Sequence, residues 1–336
     1  MTLTNTSLTN TSEGLRRGWH PVMRASELAL NSPARIELLG EPYVITRFEH
    51  AITAFLDRCP HRNARISDGC VTNGHLQCPY HGWEFNSHGA VEFIPALGAD
   101  ATLPPNASLT PAFVQVRYDL IWLAPHDPVT DIIHIAAWDN SALRQVWLPT
   151  VDINAGAGQF IDNFLDFGHF PFVHAGTFGA GEDSHINDYS AERDDSGWGF
   201  TVNYEHSIAN NEDPLVATGE HPLVQPRIMR YEFRAPFSCV LHLETPLTGM
   251  SNSIVTFCQP MTLNTTRLFS VMLRNDCDTD EAAQEAIDYE MAIFAEDLKV
   301  VEYLYDKAIP LERGQVHTRA DRNTVEFRRI MQRFLA

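Results

Sequence analysis

Short apolar runs separated by turn residues fill the first third of the chain. The runs are rich in β-branched and aromatic residues, and Gly, Pro, Asn and Asp stand between them. This pattern is typical of short antiparallel strands. It predicts a small all-β domain. The predicted strands are 36–39, 43–48, 53–57, 76–78 and 114–123.

The pattern becomes mixed after about residue 128. Helical periodicity appears at 158–167, and a longer helix is predicted from Asp280 to about Lys307, with Asp278-Thr279-Asp280 as its capping stretch. Strands bracketed by helices predict an α+β domain whose antiparallel sheet is flanked by helices. The predicted strands are 199–204, 228–233, 239–243, 253–258 and 268–273.

Prolines and polar repeats mark the predicted domain limits. The prolines between 125 and 128 interrupt regular structure, and they divide an N-terminal domain of residues 17–127 from a larger domain of residues 128–336. Residues 3–7 and 8–12 repeat the letters Leu-Thr-Asn-Thr-Ser and offer no apolar face. We therefore interpret residues 1–16 as a disordered tail.

Composition and charge narrow the class of protein. The chain of 336 residues is 44% hydrophobic and 20% charged, which suits a globular protein of about two domains. Its net charge of −19 would repel phosphate backbones, so nucleic acid is not an expected partner. We see neither a secretory signal nor a transmembrane run. The expected location is therefore the cytoplasm, away from membranes.

The six cysteines do not indicate a disulfide framework, because the chain is long and we see no signal peptide. Cys239, Cys258 and Cys277 lie in apolar, strand-like surroundings. Free cysteines in such surroundings usually behave as small buried hydrophobic residues, and we expect that of these three.

The first pattern of candidate functional residues pairs cysteine with histidine. Cys59-x-His61 is followed after 16 residues by Cys78-x-x-His81. Two thiolates and two imidazoles can hold a structural zinc or a Rieske 2Fe–2S cluster. A zinc finger pairs Cys with Cys and His with His, whereas each loop here mixes the two types and has Pro after Cys. The spacing therefore favours the cluster, with the cysteines on one iron and the histidines on the other.

A second pattern, Asp166-x-x-His169-x4-His174, lies within the larger domain. Non-haem Fe(II) oxygenases hold iron by two His and one carboxylate on one face of the metal. A separation of five does not place two histidines on one face of an ideal helix, but Pro171 between them must distort the helix and can bring both rings to one metal. Taken alone, histidines flanked by Phe could be core residues; the upstream cluster motif favours metal binding.

Together the two patterns resemble those of Rieske non-haem iron oxygenases, in the branch of vanillate and dicamba O-demethylases and caffeine N-demethylases. The resemblance extends from Trp19 to at least Asp297. Beside the cluster residues, the matching positions are Arg62, Gly82, Trp83, Asn163, Asp166, His169 and His174.

The resemblance also implies the carboxylate ligand. The stretch Phe294-Ala295-Glu296-Asp297 matches the form of this branch, which makes Asp297 the third iron ligand. Glu296 is the adjacent competitor, and on a helix it would point about 100° away, so its replacement should leave the site intact. Glu290, Ile293 and Phe294 share the face of Asp297; they line a substrate cavity or belong to ordinary core packing.

The resemblance further implies the reaction. A reductase or ferredoxin delivers electrons to the 2Fe–2S cluster, and a mononuclear Fe(II) uses them with O₂ to monooxygenate a small aromatic or heterocyclic molecule, by O- or N-demethylation or by hydroxylation. In the family the electron route crosses between the subunits of a homotrimer, which assigns His81, Asp166 and His169 to that route. Two alternatives remain: a cis-dihydroxylating ring dioxygenase, and an electron-transfer Rieske protein without oxygen chemistry.

Overall fold

The chain folds into two compact units. The computed structural model describes residues 7–179, 184–211 and 213–336. One unit comprises Glu13–Asp131 with Pro260–Thr262, and the other comprises the described part of Met1–Ser12 with Ile132–Gln259 and Leu263–Ala336. The division after Asp131 lies close to the boundary that the sequence predicts at residue 127.

The first unit is all β, as predicted. Its larger sheet has the antiparallel order β2-β11-β10-β5-β4-β3, and its smaller sheet the order β6-β7-β8-β9. These strands are β2 (His20–Arg24), β3 (Pro33–Leu38), β4 (Glu41–Arg47), β5 (Ile52–Leu56), β6 (Cys70–Thr72), β7 (His75–Gln77), β8 (Glu84–Phe85), β9 (Val91–Phe93), β10 (Pro111–Arg117) and β11 (Leu120–Ala124).

The single strand predicted at 114–123 is in fact the hairpin of β10 and β11. Tyr118 and Asp119 form its two-residue turn, and both have positive φ, 56° and 54°. Two consecutive left-handed residues match the right-handed twist of a tight hairpin. The turn was not predicted because Tyr118-Asp119 is not one of the dipeptides, Asn-Gly or Asp-Gly, that usually mark such a turn.

Cys59 and Cys78 belong to the core of the first unit. They are buried together with aromatic and aliphatic side chains from both sheets, among them Phe55, Leu76 and Phe85. The loops that carry the two cysteines are therefore fixed by hydrophobic burial at their bases.

The second unit contains an antiparallel sheet of eight strands, ordered β12-β19-β18-β17-β16-β15-β14, with β13 also paired to β19. A separate pair joins β1 to β20. The strands are β1 (Ser7–Leu8), β12 (Arg144–Trp147), β13 (Val151–Ile153), β14 (Ala191–Arg193), β15 (Gly199–Ala209), β16 (Val224–Arg234), β17 (Ser238–Thr245), β18 (Met250–Pro260), β19 (Thr266–Arg274) and β20 (Ile309–Pro310).

Helices accompany this sheet, so the predicted α+β class is confirmed for the second unit. They are α1 (Ala157–Phe164), α2 (Phe170–Val173), α3 (Pro214–Thr218), α4 (Asp280–Val301) and α5 (Arg322–Leu335). Within the described residues, none of these helices is both long enough and apolar enough to cross a bilayer.

The long helix begins as predicted and ends earlier. The side chain of Thr279 accepts the Ala282 N–H and caps the N-terminus of α4. The helix ends at Val301 and not at Lys307. The ammonium group of Lys307 instead donates to the backbone carbonyl of Glu302 at 2.7 Å, which satisfies part of the helix C-terminus with a positive charge.

The prediction of a disordered tail is wrong for residues 7–16. Ser7–Leu8 pairs with β20, and both Leu8 and Leu15 are buried. Asn10 is also buried: its Oδ1 accepts the N–H of Ala157 at the start of α1. Asn10 Nδ2 donates to the hydroxyl of Thr266. A polar segment is ordered here because its amide bridges two distant elements, which local composition does not reveal. Residues 1–6 lie outside the described part.

The C-terminal helix α5 was not predicted from the sequence. Its buried residues Phe327, Ile330, Met331 and Phe334 recur at helical spacing. This periodicity was the available signal, and the many charged residues between these positions obscure it.

Candidate functional site

The two Cys/His loops share the same backbone hydrogen bonds and the same position of a residue with positive φ. Cys59 N–H donates to the carbonyl of Ala64, and Cys78 N–H donates to that of Trp83, in each case five residues later. The residue before each acceptor has positive φ, Asn63 at 56° and Gly82 at 69°. The two loops are thus matched turns that project from one core, as the paired motif predicts.

Each loop buries its cysteine and exposes its histidine. Cys59 and Cys78 are 2% and 1% exposed, whereas His61 and His81 lie at the surface. The two imidazole rings are 4.5 Å apart between centroids, and His61 stacks on Trp83 at 4.8 Å. Two thiols at the buried end and two imidazoles at the outer end match the donor set of a Rieske cluster.

Burial disfavours the thiolate form of Cys59 when no metal is bound. Burial raises the pKa of Cys59 to about 11, and the neighbouring Cys78 acts in the same direction, against hydrogen bonds from the loop backbone. Thiolates in this setting need a metal to compensate their charge. The residues present therefore fit a 2Fe–2S cluster held by Cys59, Cys78, His61 and His81.

The second candidate site is built where α2 and α4 meet. His169 and His174 stand at the two ends of the four-residue helix α2, which has Pro171 in its first turn. Their Nε2 atoms are 3.1 Å apart. Asp297 Oδ1 of α4 lies 3.4 Å from His169 Nε2 and 3.3 Å from His174 Nε2. The three predicted ligands thus converge on one point.

Carboxylates also hold the outer nitrogens of both rings. Asp166 Oδ2 lies 3.0 Å from His169 Nδ1, and Glu296 Oε2 lies 3.0 Å from His174 Nδ1. Such bonds fix the tautomer and the orientation of a metal-binding imidazole. The expectation that Glu296 takes no part in the site is therefore wrong. The 100° turn along α4 points Glu296 away from the metal position and onto the back of His174.

Asn163 of α1 links the ligands to one another. Its Nδ2 donates to Asp297 Oδ1 at 2.9 Å and lies 3.5 Å from His169 Nε2. The hydroxyl of Thr177 similarly donates to Glu296 Oε2 at 2.8 Å. From the sequence, Asn163 was predicted only through the resemblance. Thr177 was not predicted, because no local pattern marks it.

The ligand cluster carries excess negative charge. Burial acts to lower the pKa of His169, but hydrogen bonds to Asp166 and Asp297 outweigh it and raise that pKa to about 9. Burial would likewise raise the pKa of Asp297, yet hydrogen bonds from His169 and His174 hold it below its usual value. A group of this kind attracts a cation, and the two-His-one-carboxylate set suits ferrous iron.

A cavity adjoins the three ligands. It lies between α1, α4 and one face of the large sheet, and much of its wall is apolar or aromatic. Glu290, Ile293 and Phe294 all line it, so the predicted helix face does border a cavity. Polar side chains from β18 and β19 also reach this wall, among them Asn252 and Arg274; their positions could not be registered from the sequence.

Comparison with known families gives two matches. Residues 18–111 match the Rieske [2Fe-2S] domain. Residues 153–336, more than half of the chain, match the vanillate O-demethylase oxygenase C-terminal domain. The chain is 28% identical over 325 residues to the methylxanthine N1-demethylase NdmA of Pseudomonas putida, covering 94% of this chain and 88% of that protein.

Further similarity comes from O-demethylases and from solved structures. The dicamba O-demethylase oxygenase component of Stenotrophomonas maltophilia is 34% identical over 166 residues, about half of each chain. The structure of Pseudomonas putida NdmA with caffeine superposes with a TM-score of 0.81 at 28% identity, over 95% of this chain and 91% of that one. Dicamba monooxygenase, at 22% identity and a TM-score of 0.77, shares the fold.

Loss of one loop cysteine is expected to abolish the cluster. Cys78→Ala removes a buried thiolate that no neighbouring side chain replaces. The purified protein should lack the visible absorption and EPR signal of a Rieske cluster and should unfold at a lower temperature. Cys70→Ala, at an exposed cysteine outside the loops, is the control and should keep both spectra. A full Rieske signal in Cys78→Ala would contradict the ligand assignment.

Two adjacent residues of α4 should differ in their effect on iron. Asp297→Ala should remove most of the mononuclear iron, because a direct ligand is lost. Glu296→Gln should weaken Fe(II) binding by about 10- to 100-fold, because His174 loses a charged acceptor. Glu285→Gln, at an exposed position of the same helix, should change nothing. Iron content and Fe(II) titration measure these effects; wild-type affinity in Glu296→Gln would disprove its supporting role.

Proposed function

The chain belongs to the vanillate O-demethylase oxygenase family, and from this membership we propose that it is the terminal oxygenase of a multicomponent Rieske system. Its reaction is the monooxygenation of a small aromatic or heterocyclic molecule, with O- or N-demethylation as the principal outcome. The names of the relatives given above are those of an N-demethylase and an O-demethylase. The alternative outcome is hydroxylation at the same site.

The observation that carries the proposal is the convergence of His169, His174 and Asp297 beside an apolar cavity. Ferrous iron bound by such a triad keeps positions for O₂ and substrate, and it supplies the oxygen activation. A protein that only transferred electrons would need neither the triad nor the cavity. Both features therefore favour the oxygenase over the electron-transfer alternative.

The side chains around the three candidate ligands and along the cavity have separate tasks. Asp166 and Glu296 hold the rings of His169 and His174 on their outer nitrogens, so the inner nitrogens stay aimed at the metal. Apolar and aromatic walls exclude water from the reacting carbon. A methyl group on oxygen or nitrogen, once hydroxylated, gives an unstable product that releases formaldehyde.

Electrons reach this site from a separate reductase or ferredoxin through the Rieske domain. We further propose that the protein is a homotrimer in which His81 of one chain meets Asp166 of the next. Asp166 is suited to this task because it accepts from His169 Nδ1 while about 29% of its side chain is exposed. It lies in an open surface depression, and a carboxylate there can accept a second imidazole N–H.

Exposed apolar side chains around this depression support the docking of another chain. Val300, Leu304 and Val316 line it and are 44%, 44% and 95% exposed. Apolar side chains gathered at one exposed place commonly mark protein interfaces. On the Rieske domain, Tyr80 beside His81 is also 62% exposed. These two surfaces are the ones we assign to the interface between subunits.

A substrate screen tests the function. The protein is mixed with a surrogate NADH-dependent reductase and with methoxybenzoates, methoxyphenols and N-methylated purines. Formaldehyde release and O₂ uptake are measured together. At least one compound should give formaldehyde in proportion to the O₂ consumed, and Asp297→Ala should give none. Dihydrodiol formation without formaldehyde would point to the dioxygenase alternative.

Asp166→Asn should slow electron transfer to the iron without removing either metal. The amide keeps the shape of the side chain, but a charged acceptor bonds roughly twice as strongly as a neutral one. We expect at least about 10- to 100-fold slower reoxidation of the pre-reduced cluster in a single turnover with substrate and O₂. Asp195→Asn, at an exposed position, is the matched control. Wild-type reoxidation with normal product yield would contradict the bridging role.

A further inference from the structure

Asn252 is an unusual residue in the wall of the cavity. It lies inside β18, although Asn is depleted in strands. Every second residue of this strand from Met250 to Thr256 lines the cavity. Two of the others, Ile254 and Thr256, are β-branched residues typical of strands. Leu243 faces Asn252 from β17 and also lines the cavity. An amide therefore stands in a largely apolar row.

The amide of Asn252 has an unmet hydrogen-bonding need. The residue is only 3% exposed, and its Oδ1 has no hydrogen-bond partner among the described residues. A buried acceptor without a donor is destabilising, and most buried polar atoms in proteins are satisfied. Because Asn252 lines the cavity, this need is met if the amide turns its oxygen toward a ligand that supplies the donor.

A neighbouring donor-rich side chain is already engaged elsewhere. Arg274 of β19 lines the same cavity. Its guanidinium donates to both carboxylate oxygens of Asp276, at 2.8 Å each. This bidentate pairing directs the guanidinium to Asp276. The carbonyl oxygen of Asn252 thus remains for a group that enters the cavity.

We propose that Asn252 is the specificity-determining residue of the cavity and that the substrate offers it an N–H or O–H group. Rotation about the Cβ–Cγ bond of Asn252 turns Oδ1 toward the ligand. The donor orients a flat molecule on the sheet wall, so that its methyl group is presented to the metal ligands. The favoured substrates are therefore methylated phenols or partly methylated heterocycles, rather than molecules in which every such position is methylated.

Two pairs of compounds isolate this donor. Guaiacol and veratrole differ in having O–H or O–CH₃ at one ring position, and theobromine and caffeine differ in having N–H or N–CH₃. Binding of each to the iron-loaded protein is measured by anaerobic calorimetry, so that no turnover interferes. The wild type should bind the donor-bearing member of at least one pair more tightly, on the order of tenfold, as a satisfied buried acceptor implies.

Asn252→Leu keeps the branching and the number of heavy atoms of the side chain and removes the acceptor. It should abolish the preference, while the ligand-free variant melts at the same or a higher temperature, because an unpaired buried polar atom is gone. Thr245→Val is the matched control. Thr245 is on neighbouring β17, its buried hydroxyl also lacks a partner within the described part of the chain, and it does not line the cavity. It should keep the wild-type preference.

Several outcomes overturn the proposal. The wild type could bind neither donor-bearing compound, or it could prefer the fully methylated members. The preference could also survive in Asn252→Leu, or the ligand-free Asn252→Leu protein could melt at a lower temperature than the wild type. The last result would show that the side chain of Asn252 stabilises the sheet and does not serve substrate recognition. The choice of methylated probes rests on the proposed demethylation, but the readout is binding. Formaldehyde release from any substrate would therefore uphold the function even if Asn252 plays no part in recognition.

Discussion

The site depends on one constraint: two imidazoles converge on a metal only if each is held from behind. Asp166 holds His169, and Glu296 holds His174, each through the outer ring nitrogen at 3.0 Å. Since Glu296 and the proposed ligand Asp297 are neighbours on α4, one helix supplies both a candidate ligand and the support of another. The placement of α4 against α2 therefore fixes the geometry of the whole site.

The same arrangement concentrates negative charge in a poorly solvated place. Three carboxylates, Asp166, Glu296 and Asp297, contact only two imidazoles. Without a metal, a proton on His169 offsets part of this charge, which is why the pKa of that ring is raised. A divalent cation offsets more of it and takes the position of the proton. The carboxylates thus orient the ligands and favour metal binding through their charge.

Contiguous motifs made the metal ligands predictable, whereas long-range contacts did not. Cys59, His61, Cys78 and His81 lie in two short loops, so their spacing indicated the first site. His169 and His174 flank one turn, and their spacing indicated a metal site only together with the upstream motif. Asp297 required the family resemblance, because it lies more than 120 residues from His174 and spacing carries no information at that distance. The role of Glu296 required the register of α4 against α2. For the same reason, the order of the N-terminal segment was missed, since it depends on contacts of Asn10 with residues far along the chain.

The adjacency of Glu296 and Asp297 has a consequence for the evolution of this chain. A single inserted or deleted residue within α4 ahead of them would rotate both side chains by about 100° and shift them by about 1.5 Å along the axis. The ligand and the support would be lost in one event, and no single substitution would restore both. The length of the helix from its cap at Thr279 to Asp297 should thus be invariant among functional descendants.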